Sequence, residues 1–219
     1  MTRIEIEPQL KSACPKLRLG VIQCKVKTQE ECPELWGIIN ETTKKLQEEL
    51  AISAIKDLPA IDSSKKGYKA AGKDPSRYRL SADSLLRRIV NRKGLYQINN
   101  VVDLLNLVSI KTAFSIGGYN AAKVDGIIRF GIGKNEEAYE GIGRGKLNIE
   151  GLPIFRDEKG AFGSPTSDSL RTQIDTNCED FLMIIISFQE EKGLTEAMDL
   201  ASELLLYHAD AQEIETKII

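Results

Sequence analysis

Apolar and polar residues alternate closely enough from Leu17 to Val26 to predict a half-buried strand that opens the main sheet. The spacing then lengthens. After Pro33, which suits a first helical turn, Leu35, Ile38, Ile39, Thr42, Leu46 and Leu50 follow a period of about 3.6 residues, with Trp36 read as core. A short helix after Pro59 runs to Tyr68, and Lys73 to Arg79 reads as a loop. Ser81-Ala82-Asp83-Ser84 is predicted to cap the next helix. Its apolar stripe is Leu85, Leu86, Ile89 and Val90; Arg87, Arg88, Arg92 and Lys93 face outward, and Gly94 ends it.

The run Asn99 to Thr112 is a further helix, with Asn99 or Asn100 as its N-cap and Val101, Val102, Leu104, Leu105 and Val108 driving it into a core. Beyond it the pattern shortens to strands divided by glycines: Gly126 to Gly133, Lys146 to Glu150 and Leu152 to Asp157. A loop from Gly163 to Asn177 leads to Phe181–Phe188, which is apolar on both alternating faces and so is predicted as a central strand. An amphipathic helix over Thr195 to Tyr207 follows. Helices cluster in the first half and near the end, with strands between. The predicted class is therefore α+β, with layered sheets and helices packed outside them.

Four polar residues in the Asn99 helix change the picture from fold to site. Asp103 and Asn106 are three apart and share a face, and with Asn100 they place amides and a carboxylate among aliphatic side chains. Such groups need partners when buried, so the helix is either a network that fixes the fold or one wall of a pocket. This run, followed by Gly117-Gly118-Tyr119-Asn120-Ala121-Ala122-Lys123-Val124, resembles the tRNA-editing domain of the bacterial phenylalanyl-tRNA synthetase beta subunit. The resemblance covers about Leu80 to Phe188, and the whole chain resembles free-standing homologues of that domain. Residues 1–219 are accordingly read as one domain, with 1–79 supplying an N-terminal strand and helices.

The resemblance implies a β-sandwich of unusual topology with outer helices, and a pocket that in that family receives a wrongly attached tyrosine for hydrolysis from tRNA. Asn106 matches the pocket Asn, Asn100 and Asp103 belong to the same motif, and Gly117 and Gly118 follow it. The loop from Gly163 matches the glycine-rich turn by position. That family has a His where this chain has Gly117, and a Thr before the pocket Asn where this chain has Leu105. Its strand that supplies a Glu aligns with Met183 to Ser187, which holds no acid. Read from its residues alone, the loop is dense in hydroxyls. Ser164, Thr166, Ser167 and Thr172 with Arg171 suit a carboxylate or phosphate, and Asp168 is the candidate base that orients water. The alternative is a capped turn.

Charge adds a second feature. The chain carries a net charge of −2, yet between Lys56 and Lys93 eleven Lys or Arg stand against four Asp, a local +7 that leaves −9 elsewhere. Lys65, Lys66, Lys69, Lys73, Arg77, Arg79, Arg87 and Arg88 are the candidate RNA contacts; solvated helix faces are the plainer reading. Other chemistry recedes. The one histidine, His208, and four cysteines without C-x-x-C spacing leave little for a zinc site or a His-centred triad. Gly131-Ile132-Gly133-Lys134 and Gly141 to Lys146 lack the spacing and context of phosphate loops and read as hairpin turns.

With 42 % hydrophobic and 28 % charged residues, no apolar run near about 20 residues and no opening signal segment, the expected protein is soluble and cytoplasmic, without membrane contact. No cofactor is expected. The implied partners are tRNA or aminoacyl-tRNA, with an amino-acid moiety in the pocket, and no oligomeric state follows from the sequence. Three functions fit: hydrolysis of mischarged aminoacyl-tRNA in trans, a non-catalytic tRNA or amino-acid binding module, and a small-molecule enzyme with Arg171 as anion clamp. Aminoacylation is not among them, for no adenylate-forming segment is found.

Overall fold

The computed structural model describes residues 1–219. Its first half holds β1 (Ile4–Ile6), α1 (Pro8–Ala13), β2 (Arg18–Lys25), α2 (Pro33–Glu49), α3 (Pro59–Ala70), α4 (Ser81–Val90) and α5 (Asn100–Thr112). The strands β3 (Ser115–Asn120), β4 (Ile128–Ile132), β5 (Glu140–Gly141), β6 (Gly145–Lys146), β7 (Pro153–Asp157), β8 (Gly160–Gly163) and β9 (Asp180–Ser187) come next, then α6 (Leu194–His208) and β10 (Gln212–Ile218).

Two four-stranded sheets form, in the orders β1-β4-β7-β8 and β10-β2-β9-β3. Both apolar faces of the Phe181–Phe188 run are used. β9 pairs antiparallel with β2 and with β3, so it is interior to its sheet. Leu182, Ile184 and Ile186 meet the other sheet, where Ile128, Phe130, Phe155 and Phe162 complete a core with Leu19, Val21 and Tyr119. Phe181, Met183 and Ile185 point the opposite way, into a second core with Leu35, Ile39, Leu104, Val108, Ala201 and Leu205 of the helices. The α+β class and the layered sheets with outer helices are as the sequence predicts. No helix is long and apolar enough to cross a membrane.

Several local expectations are corrected. Ser81 to Ser84 do not cap α4: Leu80 is the N-cap and no side chain bonds there, while Asp83 turns to bind Lys65 and Arg87. Arg87 and Arg88 are half-buried rather than outward. The strand expected over Lys146 to Glu150 is only the end of the β5–β6 hairpin. Gly160–Gly163 forms a strand, so Gly163, expected to open the loop, ends β8 instead. β1, α1, β3 and β10 were not signalled: β1 has three residues, Gly117-Gly118 dilute β3's strand propensity, and β10 is an exposed edge rich in charge.

Candidate functional site

α5 begins at Asn99, whose side chain accepts from Val102 N at 2.9 Å, and this cap sets which way each following polar group points. Asn100 turns to the fold. Its Oδ1 accepts from Gln29 N at 2.8 Å and its Nδ2 donates to Lys27 O at 3.0 Å and His208 O at 2.7 Å. Asp103 is buried likewise, accepting from Trp36 Nε1 at 2.7 Å and Ile98 N at 3.0 Å. Burial pushes its carboxyl up despite those two donors. The Asn106 side chain, two turns into the helix, makes no hydrogen bond within the protein and faces a cavity of about 250 Å³.

That cavity lies between α5 and the edge strand β3. Ile98, Val102, Leu105, Ile116, Ile142 and Ile174 give it an aliphatic wall; Ser81, Asn106, Ser164, Ser167, Asp168 and Gln173 give it polar groups, and Gly118 is in its floor. A Cβ at Gly118 would come within 2.4 Å of Leu105 Cδ1, so glycine lets the helix side chain lie against the strand.

Three tyrosine hydroxyls hold the loop that carries Asp168. Tyr68 of α3 bonds Thr166 Oγ1 at 2.8 Å, Tyr139 donates to Ser167 O at 2.5 Å, and Tyr119 of β3 donates to Asp168 Oδ1 at 2.9 Å. Tyr119 reaches the carboxylate between two glycines, for a Cβ at Gly117 or Gly163 would stand 2.0 or 2.1 Å from its hydroxyl oxygen. Burial, reinforced by the neighbouring Asp168, pushes the Tyr119 phenol far up, so it remains a donor. Burial likewise pushes Asp168 up to about 7, opposed by donation from Tyr119 and from the Gly118 and Ser164 N–H groups. A carboxyl that titrates near neutrality, in a cavity with an unpaired amide, can exchange a proton with a bound molecule. Gly163→Ala should overpack this contact and cost about 1–3 kcal/mol of stability, read from urea unfolding.

The structure thus brings together Asn106, Gly118, Ser164, Ser167 and Asp168, and leaves the other candidate residues outside. Asn100 and Asp103 are corrected from pocket groups to tertiary links, because every polar atom just described already has a protein partner. Gly117 faces Tyr119 on the opposite side of β3, and Thr166 is engaged by Tyr68. Thr172 is fully buried outside the cavity, its hydroxyl unpartnered. Arg171 is no free anion clamp: its two terminal nitrogens bond Asp157 at 3.0 and 2.8 Å, and Nη2 also bonds Gly160 O at 3.1 Å. Although burial opposes it, that guanidinium holds the Asp157 carboxyl below the usual range. Ser164 Oγ lines the cavity but is taken up locally, accepting from Thr166 N and Ser167 N and donating to Ser167 O.

The basic residues also divide. Lys66 pairs with Asp62, Lys73 donates to Glu150 O and lies over Tyr78, and Arg88 stacks on Tyr96 at 3.8 Å. Arg77 is exposed and unpaired. Lys65, Lys69, Arg79 and Arg87 converge on one groove beside the start of α4. The sequence reading missed the tyrosine clamp altogether. The available signal was a tyrosine directly after two glycines, in Gly117-Gly118-Tyr119.

Fold and cavity define an α+β domain with a candidate binding site between its helix layer and an edge strand. Residues 64–207 match the B3/4 domain model, and the chain belongs to that family. Among solved structures, an N-terminal fragment of the phenylalanyl-tRNA synthetase beta-subunit from Pyrococcus horikoshii is similar over 99 % of this chain, with 13 % identity and a TM-score of 0.49; the alignment covers 50 % of that chain. No curated protein matches the sequence.

Proposed function

We propose that the chain hydrolyses the ester that joins an amino acid to the 3′ end of a tRNA, acting in trans with the acyl group in the α5–β3 cavity. The observation that carries this reading is the pairing of Asn106, free of protein partners, with Asp168, titrating near 7, on one cavity that also has an aliphatic wall. Membership of the B3/4 family and the resemblance of the Asn99–Val124 motif to the tRNA-editing domain agree with it.

In the reaction, Asp168 accepts a proton from water as the water oxygen attacks the ester carbonyl. The Asn106 amide donates to the developing oxyanion, since the Thr166 and Ser167 N–H groups already serve Ser164. Collapse breaks the acyl–oxygen bond. The proton on Asp168 passes to the leaving ribose oxygen, which restores the carboxylate and leaves a free amino acid and a 3′ hydroxyl. Tyr119 holds Asp168 by its hydroxyl and takes no proton itself. The amino-acid side chain rests on Val102, Leu105, Ile116 and Ile174, a surface that favours an apolar group.

The test is deacylation of a panel of mischarged tRNAs. At least one should be discharged faster than in buffer, and Asn106→Ala should slow that reaction about 10²-fold, as loss of an oxyanion donor does. Rates equal to buffer across the panel would overturn the reading. Binding of charged tRNA without discharge would leave the non-catalytic module in its place.

A further inference from the structure

The groove beside the start of α4 is built around a buried anion rather than scattered over a face. Asp83, with only 4 % of its side chain exposed, forms an ion pair with Lys65 Nζ at 3.2 Å and accepts a hydrogen bond from Arg87 Nε at 2.6 Å. It bonds Arg87 through Nε alone, so both terminal nitrogens of that guanidinium are left for another acceptor. Lys69 and Arg79 complete the groove, exposed and without ion-pair partners. Asp74, the other acid there, is engaged by the backbone N and the hydroxyl of Ser76 at 2.9 and 2.8 Å. The space is about 360 Å³ and, Pro75 apart, only polar and charged side chains line it. Four cations against two internally occupied carboxylates, in a concave polar site, suit an anion with several oxygens.

Its position is the second observation. Arg79 and Asp83 line the groove, while Ser81, two residues from each, lines the cavity. Ser81 N donates to Pro165 O at 2.8 Å, which ties this turn of chain to the loop that carries Asp168. Groove and cavity thus share one turn of chain, residues 79–83.

We infer that the groove formed by Lys65, Lys69, Arg79 and Arg87 is a phosphate subsite that holds the phosphodiester next to the 3′ end of an RNA. This rests on the proposed reaction for its choice of polymer, but its test does not require turnover. The probe is a 5′-labelled single-stranded RNA dodecamer ending in CCA, uncharged, titrated by fluorescence anisotropy at several salt concentrations. Wild-type affinity should fall with salt. Lys69→Ala and Arg79→Ala should each weaken binding several-fold and reduce the log–log salt slope by about 0.7, the value for one single-strand phosphate contact. Lys217→Ala, an exposed lysine on β10, should bind as wild type. The dinucleotide CpA should displace the dodecamer better than inorganic phosphate.

Unchanged affinity and slope in the Lys69 and Arg79 variants would overturn the subsite, as would an equal loss in Lys217→Ala, which would mark a diffuse field. Displacement by inorganic phosphate as readily as by CpA would overturn the assignment to RNA. Groove-dependent RNA binding in a protein that discharges no tRNA would remove the hydrolase reading and keep the subsite.

Discussion

Asp168→Asn is expected to reduce deacylation about 10²–10⁴-fold, the range that positioned general bases supply. It should also remove a limb of the pH profile. In the parent protein kcat/KM should rise with pH through about 7, because only the ionised Asp168 accepts a proton from water and its carboxyl titrates there. The variant should be flat across that window. The stability of the same pair carries the opposite sign. Between about 4, where an unfolded Asp titrates, and about 7, the folded chain keeps a proton that the unfolded chain releases, so stability falls as pH rises. Asn at 168 keeps an oxygen to accept from Tyr119 and has nothing to ionise. The variant should therefore be more stable than the parent at pH 8 and closest to it near pH 4. A variant as active as the parent, or with the same pH limb, would remove Asp168 from the reaction.

Asn100→Ala should produce the largest loss of stability, about 3 kcal/mol or more, since it leaves three backbone groups unpaired at a cost of about 1–3 kcal/mol each. Those groups belong to Lys27, Gln29 and His208, so one amide joins the chain after β2 to the end of α6 and the start of α5. Asn100→Asp should do no better, because a carboxylate donates to neither carbonyl. The check is the urea midpoint at unchanged slope. A loss under about 1 kcal/mol, typical of an isolated exposed bond, would show the link to be dispensable.

What was legible in the sequence is what periodicity and capping chemistry control. The Asn-rich start of α5, the doubly apolar β9 and the 3.6-residue stripes of α2, α4 and α6 follow from local pattern. Asn106 could be placed on a pocket because it is polar on an otherwise aliphatic helix. Its neighbours Asn100 and Asp103 looked the same, and only their distant partners, His208 and Trp36 among them, separate a tie from a site. Arg171 shows the same limit. Its carboxylate partner Asp157 lies across the β7–β8 hairpin, which contains β8, a strand the glycines concealed. Among the cations, spacing placed Lys65, Lys69, Arg79 and Arg87 on two helices and a loop, but not around one groove. In the sequence Asp168 is one acid in a hydroxyl-rich loop. Burial pushes its carboxyl up, and the tyrosines that hold its loop lie 29 and more residues away in sequence, so no local pattern contains that environment.

The tyrosine clamp has a consequence for recognition. Tyr68, Tyr119 and Tyr139 anchor consecutive residues of one loop to a helix, a sheet and the segment before β5, and all three rings are themselves buried. In the proposed reaction a visiting molecule would therefore meet a wall already set in shape, and little of its affinity would be lost to ordering that wall. Selectivity then comes from fit against a fixed template. Small enlargements of a ligand should be rejected sharply instead of being absorbed by induced closure.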